Sequence, residues 1–411
     1  MLAMRRLFLS DEPLLRTLCH EVQECLTQNI LPFWLNNMLD TKRGGWYGRM
    51  TGKGMIKEDA PRGAILYARL LWTMSAAYRV LLDRYYLDAA TMTKNYILEH
   101  FVDKEYGGTF WSITADGQPL DTKKQFYAQG FILYGFSEYA RATGDEEAMQ
   151  MALQLFELIE RHAWDKEHGG YIEACTRDWQ PIADMRLSAK DENYPKSQNT
   201  HLHIIEPYTN LLRAMRKAGM KDEELRLKVE SLIGIFCTHI LNPETYHLDL
   251  FFDMDWTRRS TTESYGHDIE CSWLMHEATL VLGNEAILNK VEPVVRKVAR
   301  ASEKGLQPDG SMIYESDDND RHWWVQAEAV VGFLNIYQHF GDEDALQKAL
   351  RCWQYIREHL IDHKHGEWYW SIRADGSVNL DDDHAGFWKC PYHNGRMCLE
   401  IIERIESMLA K

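Results

Sequence analysis

His267 and Glu270 stand three residues apart in YGHDIE, His393 and Arg396 three apart in YHNGR, and Asn199 and His203 four apart in NTHLH. Either spacing puts two side chains on one helix face. An imidazole with an ordinary pKa of about 6.5 can give or take a proton near neutrality. At a helix amino terminus the partial positive charge disfavours imidazolium and keeps such a group basic. His201 and His203 point about 200° apart if helical, so only one can face a shared pocket. An HxH pair chelates from a strand rather than a helix, and HExxH and Asp-x-Asp spacings are absent, so no metal is expected. No GxGxxG links a strand to a helix, which leaves a nucleotide cofactor without a seat. No serine or cysteine elbow is present either. The chemistry that remains is cofactor-free proton transfer by histidines.

Side chains from distant segments act together only if the fold gathers them, and an internal repeat supplies the means. FWSITADGQPLD at 110–121 returns as YWSIRADGSVNLD at 369–381, each reading as strand, Asp-Gly turn and strand. Trp111 and its match Trp370 are 259 residues apart, which is four units of about 65, and 411 residues hold about six. KRGGWYGRM (42–50), KEHGGYIEA (166–174), HLDLFFD (247–253) and GSMIYES (310–316) fall in phase. Between hairpins, 145–162 predicts an amphipathic helix with Ala148, Met151, Ala152, Leu155, Phe156 and Ile159 on one stripe and Asp145 as its cap. From Phe126 to Phe136 only Gln129 is strongly polar, the pattern of a helix buried on every side. Alternation of the two kinds predicts an all-α (α/α)6 barrel, one domain over 1–411, with short β-hairpins at one end. An open superhelical stack is the alternative. Inner helices would start near Arg62, Lys124, His201, His267, Trp323 and His393, so their amino termini meet at one mouth.

The composition fits a neutral ligand. A net charge of −16, spread along the chain, repels nucleic acid and anionic membranes and gives no help to phosphorylated substrates. Aromatic residues make up 12%, with 14 tryptophans; most belong to a core, but indoles in glycine-rich or histidine-bearing loops suit the C–H face of a sugar. Eight cysteines without CxxC pairing read as reduced thiols. Leu7-Phe8-Leu9 is too short for a signal-peptide core and no 18-residue apolar run occurs, so a cytoplasmic protein is expected.

APRGAILYARLLW, DTKKQFYAQGF, SQNTHLHIIEPYTNL, SYGHDIECSWL, RHWWVQAEAVVGF and FWKCPYHNGRMCLEI, in that order, resemble motifs of the N-acylglucosamine 2-epimerase family, most closely its cellobiose 2-epimerase branch. The likeness runs from about residue 12 to 405, and that family's fold is an (α/α)6 barrel. It implies that His267 and His393 are the acid–base pair and that His203, not His201, faces the pocket to assist ring opening. Arg62 would bind a developing enediolate and Glu270 would orient a histidine. Trp324 and Trp388 would be sugar platforms, with Asn199 and Asp191 contacting the second sugar or its hydroxyls. The implied substrate is a neutral disaccharide or monosaccharide, handled by a monomer or homodimer. An aldose–ketose isomerase of mannose and a free-monosaccharide 2-epimerase are near alternatives. An inverting glycoside hydrolase and a non-catalytic sugar binder are more distant ones.

Overall fold

The computed structural model describes residues 10–188 and 190–410. Among them, long helices alternate between two rings. The outer ring holds α1 (Glu12–Glu24), α3 (Arg84–Tyr96), α5 (Glu146–His162), α7 (Glu223–Ile235), α9 (Glu285–Ser302) and α11 (Glu343–Tyr355). The inner ring holds α2 (Ala64–Leu81), α4 (Phe126–Thr143), α6 (Gln198–Lys217), α8 (Tyr265–Leu282), α10 (Trp323–Phe340) and α12 (His393–Leu409). Each inner helix packs on the next, and α12 packs back on α2. The ring closes as an (α/α)6 barrel, and the open stack is set aside.

Burial follows the expected two patterns. Every residue of α4 from Phe126 to Ala140 is buried. On α5 the buried stripe is the anticipated one with Met149 added, and the Asp145 carboxylate caps it by accepting from the Ala148 N–H at 2.7 Å. The predicted helix at Phe126 therefore has no solvent face, while the one at 145–162 has a wide one.

A belt of short antiparallel pairs ties the hairpin end together. The residues just before one inner helix pair with the hairpin of the following repeat: Arg62–Gly63 with Ser112–Ile113, Lys124–Gln125 with Ala174–Cys175, Lys196–Ser197 with Phe251–Phe252, and Arg321–His322 with Ser371–Ile372. Single bridges complete the circuit at Ser264–Glu315 and, between the last repeat and the first, at Met50–Ala385.

Below the belt five of the six repeats carry a loop stitched to the inner helix in one way. A polar side chain on that helix accepts a loop N–H: Tyr67 from Trp46 at 2.7 Å, Gln129 from Thr109 at 2.9 Å, His201 from Tyr171 at 2.9 Å, Asp268 from Leu248 at 2.8 Å and Gln326 from Met312 at 2.8 Å. Three loops open on a buried aspartate answered by a buried cation. Arg62 meets Asp40 at 2.6 Å, Lys124 meets Asp103 at 2.9 Å and Lys196 meets Asp165 at 2.8 Å. Each cation also bonds the carbonyl of the first glycine of a pair: Gly44, Gly107 or Gly169. Both glycines of each pair have positive φ, and a side chain at Gly45, Gly108 or Gly170 would collide with the helix residue that accepts the loop N–H. Trp179 and Trp256, both at positive φ, cover Lys124 and Lys196 at 5.3 and 4.5 Å. These two loop indoles serve the scaffold.

Candidate active site

The inner helices' amino termini surround a cavity of about 920 Å³ at the belt end. His203, His267, His393, Glu270, Trp324, Trp388, Asn199 and Asp191 all line it. Arg62 does not. Its guanidinium is 1% exposed, clamped by Asp40, the Gly44 carbonyl, Tyr67 and Tyr96, and it is the first repeat's copy of the Lys124 and Lys196 cations. The expectation that it binds an enediolate is corrected by the structure: the cationic side chain deep in the cavity is Arg69, two turns further along α2.

Arg69 is unusual in its company. It is 3% exposed, lies 4.3 Å from the Phe131 ring and 4.8 Å from the Tyr392 ring, and donates to the Tyr127 hydroxyl at 2.9 Å. Among the described residues no carboxylate pairs with it, and its Nε has no protein acceptor. A buried guanidinium without a counter-ion favours an anion beside it. Sequence reasoning passes over it because APRG marks the helix start, yet a lone arginine inside AILYARLLW is the stronger signal: α2 is buried from Ala64 to Ala77.

Local backbone geometry turns His203 inward. Pro207, four residues on, has no N–H for the His203 carbonyl, and α6 kinks there with His203 at φ −92°, ψ 18°. Gly130 of α4 allows the approach, since a Cβ on it would stand 2.5 Å from the His203 carbonyl oxygen. His201 points the other way, its Nδ1 on the Ser197 carbonyl at 2.6 Å and its Nε2 on the Tyr171 N–H. The separation expected of the two histidines is therefore present, and His203 is the one in the cavity.

Three of the four imidazoles that line the cavity are anchored through Nδ1, His203 on Glu206 at 2.9 Å, His393 on Glu328 at 2.7 Å and His267 on the Ser264 hydroxyl at 2.7 Å, while His322 stacks on the Tyr314 ring. That leaves Nε2 of each anchored ring for the cavity. Trp324 lies between two of them, its ring 4.8 Å from His267 and 5.6 Å from His393. Gly266 makes room for it, because a Cβ there would be 2.7 Å from the indole. Burial holds His267 down to about 4, and burial with the nearby Arg69 charge holds His203 and His393 well below the usual imidazole range. Neutral imidazoles result.

Beneath the histidines lies a knot of charge. The Arg396 guanidinium bonds Glu206, Glu270 at 2.9 Å and Glu328 at 2.6 Å. Glu270 is 3.9 Å from His393 Nδ1, so Glu328 rather than Glu270 orients that ring. Burial pushes Glu270 up to about 8 against the pull of the Arg69 charge, and burial with the neighbouring Glu270 charge raises Glu328 strongly. Hydrogen bonding decides which carboxyl keeps a proton. Both Glu328 oxygens accept, from Arg396 and from the Trp273 N–H at 2.9 Å, whereas Glu270 Oε2 has no partner. The proton belongs on Glu270. Glu270, Glu328 and His393 offer ligand atoms within 4.8 Å of one another, but the Arg396 side chain already bonds both carboxylates.

At the rim, the Asp191 carboxylate accepts from the Ser188 N–H and hydroxyl at 2.8 and 2.7 Å, and Asn199 Oδ1 is buried without a protein donor. In the 381–384 segment Asp382 and Asp383 are held by Asn379 and Arg49 at 2.8 Å each, while the His384 side chain turns away to the Gly366 carbonyl. No helix among the described residues is long and apolar enough to cross a membrane.

Comparison with known proteins agrees with this architecture. The N-acylglucosamine 2-epimerase (GlcNAc 2-epimerase) family pattern matches residues 45–394. A cellobiose 2-epimerase of Bacteroides fragilis is 54% identical over 388 residues, covering 93% of this chain and 98% of that protein. One from Ruminococcus albus is 39% identical over 93% of this chain and 98% of that protein. The solved cellobiose 2-epimerase of Bacillus thermoamylovorans superposes with a TM-score of 0.89 at 39% identity, covering 95% of this chain and all of that one. The chain belongs to the N-acylglucosamine 2-epimerase family and is a sugar epimerase of the isomerase class.

Proposed function

We propose that this enzyme inverts C2 of the reducing-end glucose of β-1,4-linked disaccharides such as cellobiose or lactose, giving mannose, and runs the reverse on mannobiose. One observation carries the reading: three Nδ1-anchored imidazoles and an unpaired arginine face one cavity. At about 920 Å³ it lies near the top of the 300–1,000 Å³ range typical of small-molecule pockets, so a second ring can enter behind the reacting one.

In this scheme His203 assists opening of the hemiacetal, which makes the C2 hydrogen acidic by placing it beside an aldehyde. The Nε2 of one of His267 and His393 takes that proton, and the electron pair moves onto O1 to give a cis-enediolate. Arg69 is the cation placed to hold the oxyanion. Rotation about C2–C3 presents the other face; the second imidazole, loaded beforehand with a solvent proton at Nε2, delivers it there, the first releases its proton to solvent, and the ring closes. No redox partner is required, since the product is an isomer of the substrate. General acid–base transfer contributes about 10²–10⁴ and an oxyanion cation about 10²–10³.

The mannose isomerase alternative differs only in returning the proton to C1. An inverting hydrolase would need carboxyls about 6.5–9.5 Å apart with water between them. Here Glu270 and Glu328 converge on one guanidinium, within 4.8 Å. Proton NMR of cellobiose in deuterated water is the test, with mannose and N-acetylglucosamine run in parallel. Deuterium at C2 of a mannose-ended product is expected, and His267→Ala and His393→Ala should each abolish turnover with the fold intact. Fructose-ended product, free glucose, or substantial activity in either variant would overturn the scheme.

A further inference from the structure

The imidazole supports are not independent of one another. Glu206 takes the Nδ1 side of His203 with Oε2 and meets both Arg396 and the Tyr392 hydroxyl with Oε1. Glu328 takes the Nδ1 side of His393 with Oε1, the same oxygen that Arg396 reaches. Two carboxylates from two different inner helices, α6 and α10, are thus fixed by the two arms of one guanidinium on a third, α12. Arg396 is itself 1% exposed and packed on the Trp273 and Tyr392 rings at 4.8 and 4.4 Å, so it has no freedom to favour one arm.

We propose that Arg396 is a positioning residue that sets the tautomers of His203 and His393 together, by holding Glu206 and Glu328 as acceptors of their Nδ1–H groups. An ionised carboxylate only accepts, so each imidazole must keep its hydrogen on Nδ1 and offer a bare Nε2 to the sugar. The donors aimed at the two carboxylates, from Arg396 and Tyr392 on Glu206 and from Arg396 and Trp273 on Glu328, hold their oxygens as acceptors. Ring opening and C2 proton transfer therefore draw on one electrostatic frame, and disturbing it at Arg396 disturbs both steps. His267 stands outside this frame, on the Ser264 hydroxyl.

The inference rests on the proposed roles of the histidines, and its test has a readout independent of turnover. In protein labelled with ¹⁵N-histidine and free of sugar, the ring nitrogens of His203 and His393 report their tautomers directly. Arg396→Lys keeps a positive charge but cannot fork; it is expected to change both tautomer signatures while leaving that of His267 as it was. Glu206→Gln is expected to change His203 alone, and Glu328→Gln His393 alone. With cellobiose, Arg396→Lys should lower kcat roughly 10²-fold, the cost of a small misplacement at the reacting centre, with KM within about threefold. A folded Arg396→Lys with both signatures and kcat unchanged overturns the proposal, as does a change at only one ring. If that variant does not fold, the single-carboxylate variants decide: a Glu206→Gln protein in which the His203 signature is unmoved overturns it. Loss of epimerase activity in the parent protein would sink the functional reading and leave the tautomer result standing.

Discussion

Arg62 and Arg69 lie on one turn-and-helix segment, and their surroundings assign them opposite work. Arg62 is neutralised by Asp40 at 2.6 Å, bonds the Gly44 carbonyl and lies outside the cavity lining. Arg69 has aromatic faces, a tyrosine hydroxyl and no carboxylate, so its charge is unspent. Arg69→Ala is expected to lower kcat about 10²–10³-fold, the usual effect of removing a charge-stabilising donor from an oxyanion, with the melting temperature little changed. Arg62→Ala should instead cost about 3–5 kcal/mol of stability by stranding the buried Asp40 charge, and folded protein at low temperature should keep near-normal kcat. Kinetics and thermal melts on the same two preparations check both. The reverse pattern would restore Arg62 to the site. The pH dependence belongs to this scale too. His267 stays neutral down to about 4, so the base form persists well below the usual imidazole pKa. The acid limb of kcat/KM should therefore fall below pH 6; a midpoint at or above 6.5 would show that His267 is not shielded by burial.

His201 shows what an element asks of a residue. Its place on α6 matches that of Gln129 on α4 and Gln326 on α10: each accepts the N–H that fastens a loop to its helix. To accept at Nε2 while Nδ1 donates to the Ser197 carbonyl, the ring must be neutral, and burial holds it down to about 4. The sign follows from linkage. The unfolded chain binds the proton near pH 6.5 and the folded chain does not, so this contribution is complete above about 6.5 and lost as pH falls towards 4. His201→Gln keeps the acceptor and removes the titration, so its melting temperature should fall less than the parent's between pH 6.5 and 4.5. Equal slopes would mean that His201 is not what loosens. The same comparison shows why the site was only partly legible. Helix periods and the duplicated hairpin are local patterns, and they foretell the two rings and the mouth. Whether a polar residue at an inner helix start faces the cavity or a loop depends on the angle around the helix and on a kink at Pro207. The one signal in chain order that separates Arg69 from Arg62 is its place inside the apolar run AILYARLLW. Glu206 and Glu328, which hold the rings, are read from sequence only as stray charges in apolar helices.

At the scale of the whole molecule, closure makes the repeats nearly equivalent, and the ends of the chain hold no special place in the ring. α1 runs toward the belt and α12 away from it, the two pack together, and Asp11 accepts from the Tyr337 hydroxyl at 2.7 Å near the end of α10. Both ends of the described chain thus lie at the face opposite the cavity, where the turn between α6 and α7 also lies. Gly219 in that turn has φ +68° and open space around it, and Met220 beside it is exposed. A circular permutant that joins residues 10 and 410 through a flexible linker and opens at Gly219 should keep kcat/KM within about threefold, because no belt pair is cut and the cut backbone is exposed. Opening the ring at 52–54 is a different operation. It severs the segment whose Met50 bonds Ala385 and Ile56, the seam between last repeat and first. That permutant should unfold at lower temperature and lose activity, since Asp383 and Trp388 reach the cavity through the same seam. A stack of helices without closure predicts that both permutants fail, for each joins ends that such a stack would hold far apart. Activity and melting curves of the two permutants, measured side by side, distinguish a ring from a stack.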